Sequence, residues 1–532
     1  MIRYKNGMIG LLAATVAVAW FWGGAAWAKA PAAPETILAE KCGSCHDRDA
    51  AGHYARISVV RKTPEGWEGS IRRMRQWHGL ILGEAEERVL VKYLADTQGL
   101  APEEAAPHRA VIERRPGTVE AIDDAELGVY CGRCHTYARA ALQRRDTDDW
   151  VKHIHTHLGQ WPTLEYHASA RDREWWKIAT TEVAAKLGAK WPLVTEAWTR
   201  WQSHRAADLS GRWRLAGHRP GRGDYQGHLD IKRTGIDAYA VSYTLTYADG
   251  ATIVGAGRSV VYTGYEWRGS AALGNETLHE VYRIAEDGNS LDGRWFLDHD
   301  SAIGGDIKAV RETVPAVLAV QPAALKTGRA ETVTIIGAKL DGALDLGPGV
   351  VVEKTLAHAA DHITVVARAS KDAVIGPHAV AVGGLSAAGA LVVYDKVGSV
   401  RVEPALNIAR VGANGGPLPV APSQFEAVGY LDGPDGKAGT ADDIRIGVLP
   451  ARWSTRDFDK EAEEAEDAHF GGRIGRTGLF IPAGAGPNPA RKGTNNAANL
   501  AVVAQVTDGE RTLEGLGHLI VTLQRWNDAP IR

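Results

Sequence analysis

Two copies of one five-residue pattern constrain this chain more than any other feature. Cys42-Gly43-Ser44-Cys45-His46 and Cys131-Gly132-Arg133-Cys134-His135 use all four cysteines among 532 residues. C-x-x-C-H is the attachment pattern for c-type haem. Two thiols on one turn form thioethers to the haem vinyls, and the adjacent imidazole faces the iron. Two disulfides or one four-cysteine zinc site would use the same thiols. A two-residue loop is a poor staple, however, and neither alternative accounts for a histidine after each pair. The chain is therefore expected to fold around two covalent haems, held by Cys42, Cys45, Cys131 and Cys134, with His46 and His135 as proximal ligands.

The sixth ligands follow from an internal repeat. Copy one reads Thr63-Pro64-Glu65-Gly66-Trp67, then a helical pattern over Glu68–His78. Copy two reads Thr147-Asp148-Asp149-Trp150, then a helical pattern over Val151–Leu158. Pro64 suits a first helical turn, and Thr63 and Thr147 suit N-caps. Aligning Trp67 with Trp150 places Met74 and His157 at matching positions, and both residue types ligate haem iron. The pattern predicts His46/Met74 on the first iron and His135/His157 on the second. His78, one turn past Met74, is the alternative for the first. His153 shares a helix face with His157, His155 points elsewhere, and His53 and His167 are more distant options. With both sixth positions filled, the haems would pass electrons and would not bind peroxide or oxygen. Methionine ligation would raise the potential of the first haem above that of the second, unless burial or neighbouring hydrogen bonds reverse the order.

Composition narrows the class further. Hydrophobic residues make up 45% and charged residues 23%, which excludes disorder as the main state. Lys+Arg number 61 against Asp+Glu 64, so there is no basic footprint for nucleic acid. Arg3 and Lys5 precede an apolar run over Met8–Ala28, closed by Ala26-Trp27-Ala28. That arrangement reads as a cleaved export signal over residues 1–30, with an uncleaved anchor as the alternative. No later stretch reads as a membrane span, so the mature chain is expected to be exported to the periplasm.

The fold class expected is multidomain α + all-β. A helical dihaem cytochrome c domain spans 31–204, with copies over about 35–100 and 118–200 joined by a linker at 101–117. Helices are expected over Glu84–Thr97 and Arg171–Leu187. From about Leu209 the helical period gives way to alternation, as in Tyr239–Tyr247. Leu209-Ser210-Gly211-Arg212-Trp213 is echoed by Leu291-Asp292-Gly293-Arg294-Trp295, which suggests two related strands of one antiparallel barrel over 205–312, filled by its own side chains. Short strands separated by Gly and Pro turns predict immunoglobulin-like sandwiches over 313–395 and 396–532. The acidic loop Asp432–Asp443 lacks EF-hand spacing and is expected to be a solvated hairpin, with calcium as the alternative. Pro487–Asn496 is expected to be an ordered surface loop.

This order of parts resembles the dihaem alpha subunit of quinohemoprotein amine dehydrogenase. The residues that carry the resemblance are the two haem motifs, Thr63–Trp67, His157-Leu158-Gly159-Gln160, Glu165-Tyr166, Arg171–Trp175 and Leu209–Trp213. The resemblance spans the mature chain. It implies a periplasmic heterotrimer with a propeller-shaped beta subunit and a small gamma subunit that carries a cysteine tryptophylquinone. It also implies that primary amines are deaminated at that quinone. Electrons would then cross two haems, one bis-histidine and one His/Met, to an external cytochrome c or blue copper protein. After two haems this chain has no cysteine left for such a quinone, so alone it is not expected to oxidise amines. The competing readings are a stand-alone dihaem cytochrome c peroxidase and a free periplasmic electron carrier.

Overall fold

In the computed structural model, residues 32–523 are described apart from 116, 168–169, 205, 413–418 and 492–494. The expected export signal lies outside the described residues. Among those residues no helix is long and apolar enough to cross a membrane.

The two copies of the haem repeat are joined by a short antiparallel ribbon. Val60–Lys62 pairs with Gln143–Arg145, so that Arg61 lies opposite Arg144. Each ribbon strand runs straight into a helix. Thr63 caps the first helix, Pro64–His78, its hydroxyl accepting from Gly66 N at 3.2 Å, and left-handed Gly79 ends it. The second helix spans Thr147–Gln160 and is longer than its sequence pattern suggested. Its cap is Asp146, which accepts from Asp149 N at 2.6 Å, and not Thr147, which is the first helical residue. The repeat extends to side chains. Trp67 and Trp150 are both buried. Lys62 lies 5.3 Å from the Trp67 ring centre and Arg145 lies 5.6 Å from that of Trp150. Met74 and His157 each fall ten residues after the first residue of their helix.

The helix Glu84–Thr97 is as expected. The helix expected over Arg171–Leu187 starts at Trp175, passes through a π-helical turn at Ala179–Val183 and ends at Lys190. The segment expected as a linker contains short helical pieces at Pro102–Ala105, Ala106–His108 and Arg109–Ile112. It is pinned on both sides. Arg109 pairs with Asp292 at 2.8 Å and Arg115 with Asp306 at 2.7 Å, both on barrel strands.

Eight antiparallel strands between Gly211 and Arg311 close into a barrel, each pairing with its neighbour in sequence. The echoed segments lie in the two strands that flank the closing strand Gly304–Arg311. Trp213 and Trp295 point into the core, and Gly211 and Gly293 both have positive φ. The interior is full: the cavity between Tyr225, Tyr243, Tyr282 and Trp295 amounts to about 10 Å³. A buried carboxylate sits within this core. Glu280 accepts from Tyr243 Oη at 2.7 Å, Trp267 Nε1 at 2.8 Å and Ser259 Oγ at 2.9 Å.

Residues 316–394 form two four-stranded sheets around one core that contains Val333, Ile335, Ile363 and Val393. Residues 399–522 form three sheets and two short helices around Phe425, Phe480 and Leu519. The loop Asp432–Asp443 joins two paired strands as a hairpin. Asp442 accepts from Thr440 Oγ1 at 2.7 Å, and Asp443 pairs with Arg401. No group of three or more His, Cys, Asp or Glu placed to hold a metal occurs among the described residues. In the Pro487–Asn496 loop, Asn488 bonds to Asn496 at 2.8 Å and buried Arg491 pairs with Asp467.

Candidate functional site

Both C-x-x-C-H motifs begin on the last residue of a helix. Cys42 ends the π-helical turn Leu38–Cys42, and Cys131 ends the helix Ala125–Cys131, which Asp124 caps. The glycine that follows each lies against the preceding turn. A Cβ at Gly43 would meet Ala39 O at 2.6 Å, and one at Gly132 would meet Gly128 O at 2.8 Å. The chain then turns tightly enough for His46 N to donate to Cys42 O at 2.9 Å. No disulfide joins any of the four cysteines, and each motif packs against the hydrophobic cluster of its own lobe. Burial raises the Cys42 thiol, and it pushes Cys131 up to about 12 with help from Asp124.

In the second lobe, Cys131, Cys134, His135 and His157 line one cavity of about 470 Å³. That volume lies in the range of cofactor pockets. The His135 and His157 rings lie 6.5 Å apart, centre to centre, with their planes 28° from parallel. Two imidazoles on opposite sides of one metal, with bonds of about 2 Å, place their centres about 6 Å apart. His135 Nδ1 bonds to Thr136 O at 2.9 Å and His157 Nδ1 to Ile154 O at 3.1 Å. A carbonyl only accepts, so in each neutral ring Nδ1 carries the proton and Nε2 keeps its lone pair. Burial, the largest influence on both, holds them below the usual histidine pKa and so neutral. Trp175 tilts against His157 at 5.9 Å and helps fix the ring.

His153 and His167 line the same cavity. Half-buried His153 packs edge-on to both Trp150 and His157, on the helix face that their four-residue spacing implies. His155 faces away and packs on Trp176 at 4.7 Å.

The first lobe is arranged differently. His46 Nδ1 bonds to Ala55 O at 2.8 Å, which sets the same tautomer. Met74 is half-buried in the last turn of its helix, on the element that carries core residues Trp67 and Ile71. Cys42 packs against that same core. Among the described residues no hydrogen bond or ring contact joins His46 to the helix that carries Met74. His78 is exposed in the last helical turn. His53 is exposed and turned towards Asp49.

Two features of the N-terminal helical region have no signature in the sequence. Glu104 is buried at the ribbon and bonds to both opposed arginines. Its contacts are Arg61 Nη1 at 2.8 Å and Nη2 at 2.9 Å, Arg144 Nε at 3.0 Å and Thr195 Oγ1 at 2.8 Å. Burial works to raise its carboxyl, but the Arg61 and Arg144 guanidiniums outweigh it and hold the group at about 2. The second feature is Arg73, which reaches from the first lobe's helix into the wall of the second lobe's cavity.

Comparison with known proteins places nearly all of this chain from residue 32 onward in one family. Residues 32–198 match the model described as quinohemoprotein amine dehydrogenase A, alpha subunit, haem binding. Residues 206–312, 314–395 and 400–531 match alpha subunit domains II, III and IV of the same protein. No curated protein matches. Among solved structures, a redesigned β-barrel is 17% identical, with 20% of this chain and 96% of that chain covered and a TM-score of 0.18. A mouse clustered protocadherin fragment is 11% identical, with 44% and 76% covered and a TM-score of 0.17. Four successive models of one subunit account for nearly all of the sequence from residue 32 onward, and the chain belongs to the family of quinohemoprotein amine dehydrogenase alpha subunits.

Proposed function

We propose that this chain is the electron-transfer subunit of a periplasmic amine dehydrogenase. It takes electrons from a cysteine tryptophylquinone on a gamma subunit after oxidative deamination of primary amines. It delivers them to an external cytochrome c or blue copper protein, and a beta propeller subunit completes the assembly. The observation that carries this reading is the single cavity in which Cys131, Cys134, His135 and His157 converge, with the two imidazoles 6.5 Å apart. When bound, each c-type haem supplies a one-electron iron couple.

The chain's own residues have separate tasks. Cys42 and Cys45, then Cys131 and Cys134, anchor the two haems. His46 and Met74 would hold the first iron, and His135 and His157 the second. The backbone carbonyls of Ala55, Thr136 and Ile154 fix the imidazole tautomers. With His157 assigned to the second iron, a peroxidase would need its open position on the first iron, to which Met74 is assigned. Every cysteine is committed, so amine chemistry belongs to a partner.

The functional units are taken as 31–204, 205–312, 313–395 and 396–532. The last two are read as immunoglobulin-like sandwiches that support assembly. Intact mass of the mature full-length chain tests the haem assignment. Two covalent haems are expected, falling to one when Cys131 and Cys134 are both replaced by Ala. A wild-type chain without covalent haem would contradict it.

A further inference from the structure

We propose that Arg73 and Arg139 bind the propionate carboxylates of the second haem, so that a side chain from the first lobe completes the second lobe's cofactor site. This rests on the haem reading above and goes beyond it by assigning the cavity's charged groups.

Arg73 lies on the helix Pro64–His78 and Arg139 on the short helix Ala138–Ala141, just after the second motif. Both line the cavity that Cys131, Cys134, His135 and His157 share. Among the described residues no aspartate or glutamate lines that cavity. Arg133, also on its wall, is already held by Asp172 at 2.9 Å. Arg73 and Arg139 have no such partner: Arg73 Nη2 donates to Ser70 Oγ at 3.1 Å, and neither guanidinium forms an ion pair among the described residues.

Two like charges on the wall of one cavity of mixed polar and apolar lining repel each other, and an anion placed between them relieves that repulsion. Carboxylates suit the guanidinium fork because both oxygens can be engaged at once. A haem seated between His135 and His157 brings two propionates with it. Arg73 also directly precedes Met74, so one stretch of backbone touches both haem sites.

The test uses the full-length, haem-loaded chain. The second haem is identified as the one whose spectrum responds to His157→Ala, and its midpoint potential is followed by spectroelectrochemical titration. A cation near the iron disfavours the more positive oxidised state. Arg73→Gln and Arg139→Gln should therefore each lower the second haem's potential, whereas Arg73→Lys should keep most of it. An unmoved second potential in both Gln variants, or a change confined to the first haem in Arg73→Gln, would overturn the proposal. Should Arg73→Gln fail to accumulate, Arg139→Gln decides on the same criterion, because Arg139 is exposed at the cavity mouth. A wild-type chain lacking the second covalent haem overturns the haem reading and this proposal with it. Two bound haems with an unmoved second potential overturn this proposal alone.

Discussion

His135 and His157 face one cavity with their ring centres 6.5 Å apart, each with Nδ1 tied to a backbone carbonyl. Neither ring needs to change tautomer to present Nε2 to a metal, so little reorganisation is required at the iron. The prediction is specific to one haem. His157→Ala should alter the ferric and ferrous absorption of the second haem and leave the first unchanged. Met74→Ala should do the reverse, and His78→Ala should change neither. An unaltered second-haem spectrum in His157→Ala would remove that ligand assignment.

Glu104 is the shared counter-ion of Arg61 and Arg144, which face each other across the ribbon between the lobes. Breaking a buried pair by removing one partner typically costs about 3 kcal/mol or more. Glu104→Gln should therefore lower the denaturant midpoint of the full-length protein at pH 7. The pH dependence has a definite sign. Glu104 titrates at about 2 in the folded state against an ordinary value of 4.5. Its contribution is complete above about 4.5 and is lost as pH falls from there towards 2. Wild-type and variant stabilities should therefore draw together as pH falls below 4.5 and converge only below about pH 2. Equal stability at pH 7 would count against Glu104 as the joint between the lobes.

The barrel is tied to the last unit through His218. Its Nδ1 lies 2.6 Å from Asp224 and its Nε2 lies 2.8 Å from Glu426. Burial opposes its protonation, but hydrogen bonds to the two carboxylates prevail and raise it to about 10 from an ordinary 6.5. A raised histidine stabilises the fold fully below about 6.5, and that contribution is lost as pH rises through 10. His218→Gln should cost about 2 kcal/mol at pH 6 and nothing above pH 10.5. Thermal unfolding at the two pH values checks this, and an equal loss at both would contradict it.

The residues proposed to carry the chemistry were readable because they obey local rules. Cysteine spacing marks the haem motifs, and the Thr63-Pro64 start and the two aligned tryptophans mark the paired helices. Matching position then singles out Met74 and His157. Alternation and the echoed Gly-Arg-Trp segments marked the barrel. What local pattern misses is whatever depends on distant segments meeting. Glu104 draws its partners from residues 61, 144 and 195, and nothing beside it in sequence announces them. Arg73 is one of several helical arginines until the fold carries it into the other lobe's cavity. Asp146 and not Thr147 is the cap because the tryptophan alignment, carried back to the ribbon, sets Asp146 against Thr63, each directly after its strand. Residues 101–117 read as a linker by composition, yet ion pairs from Arg109 and Arg115 to the barrel pin the segment.

The central claim is that amine-derived electrons enter the haems of this chain from a partner that carries the quinone. Haem reduction by a primary amine, followed by absorbance under anaerobic conditions, tests it most directly when the natively purified assembly is compared with this chain alone. The account predicts reduction in the assembly and none in the isolated, haem-loaded chain. Reduction of the chain alone would place the amine chemistry here and contradict the division of labour. No reduction in the assembly, across several primary amines, would contradict the electron-transfer role itself.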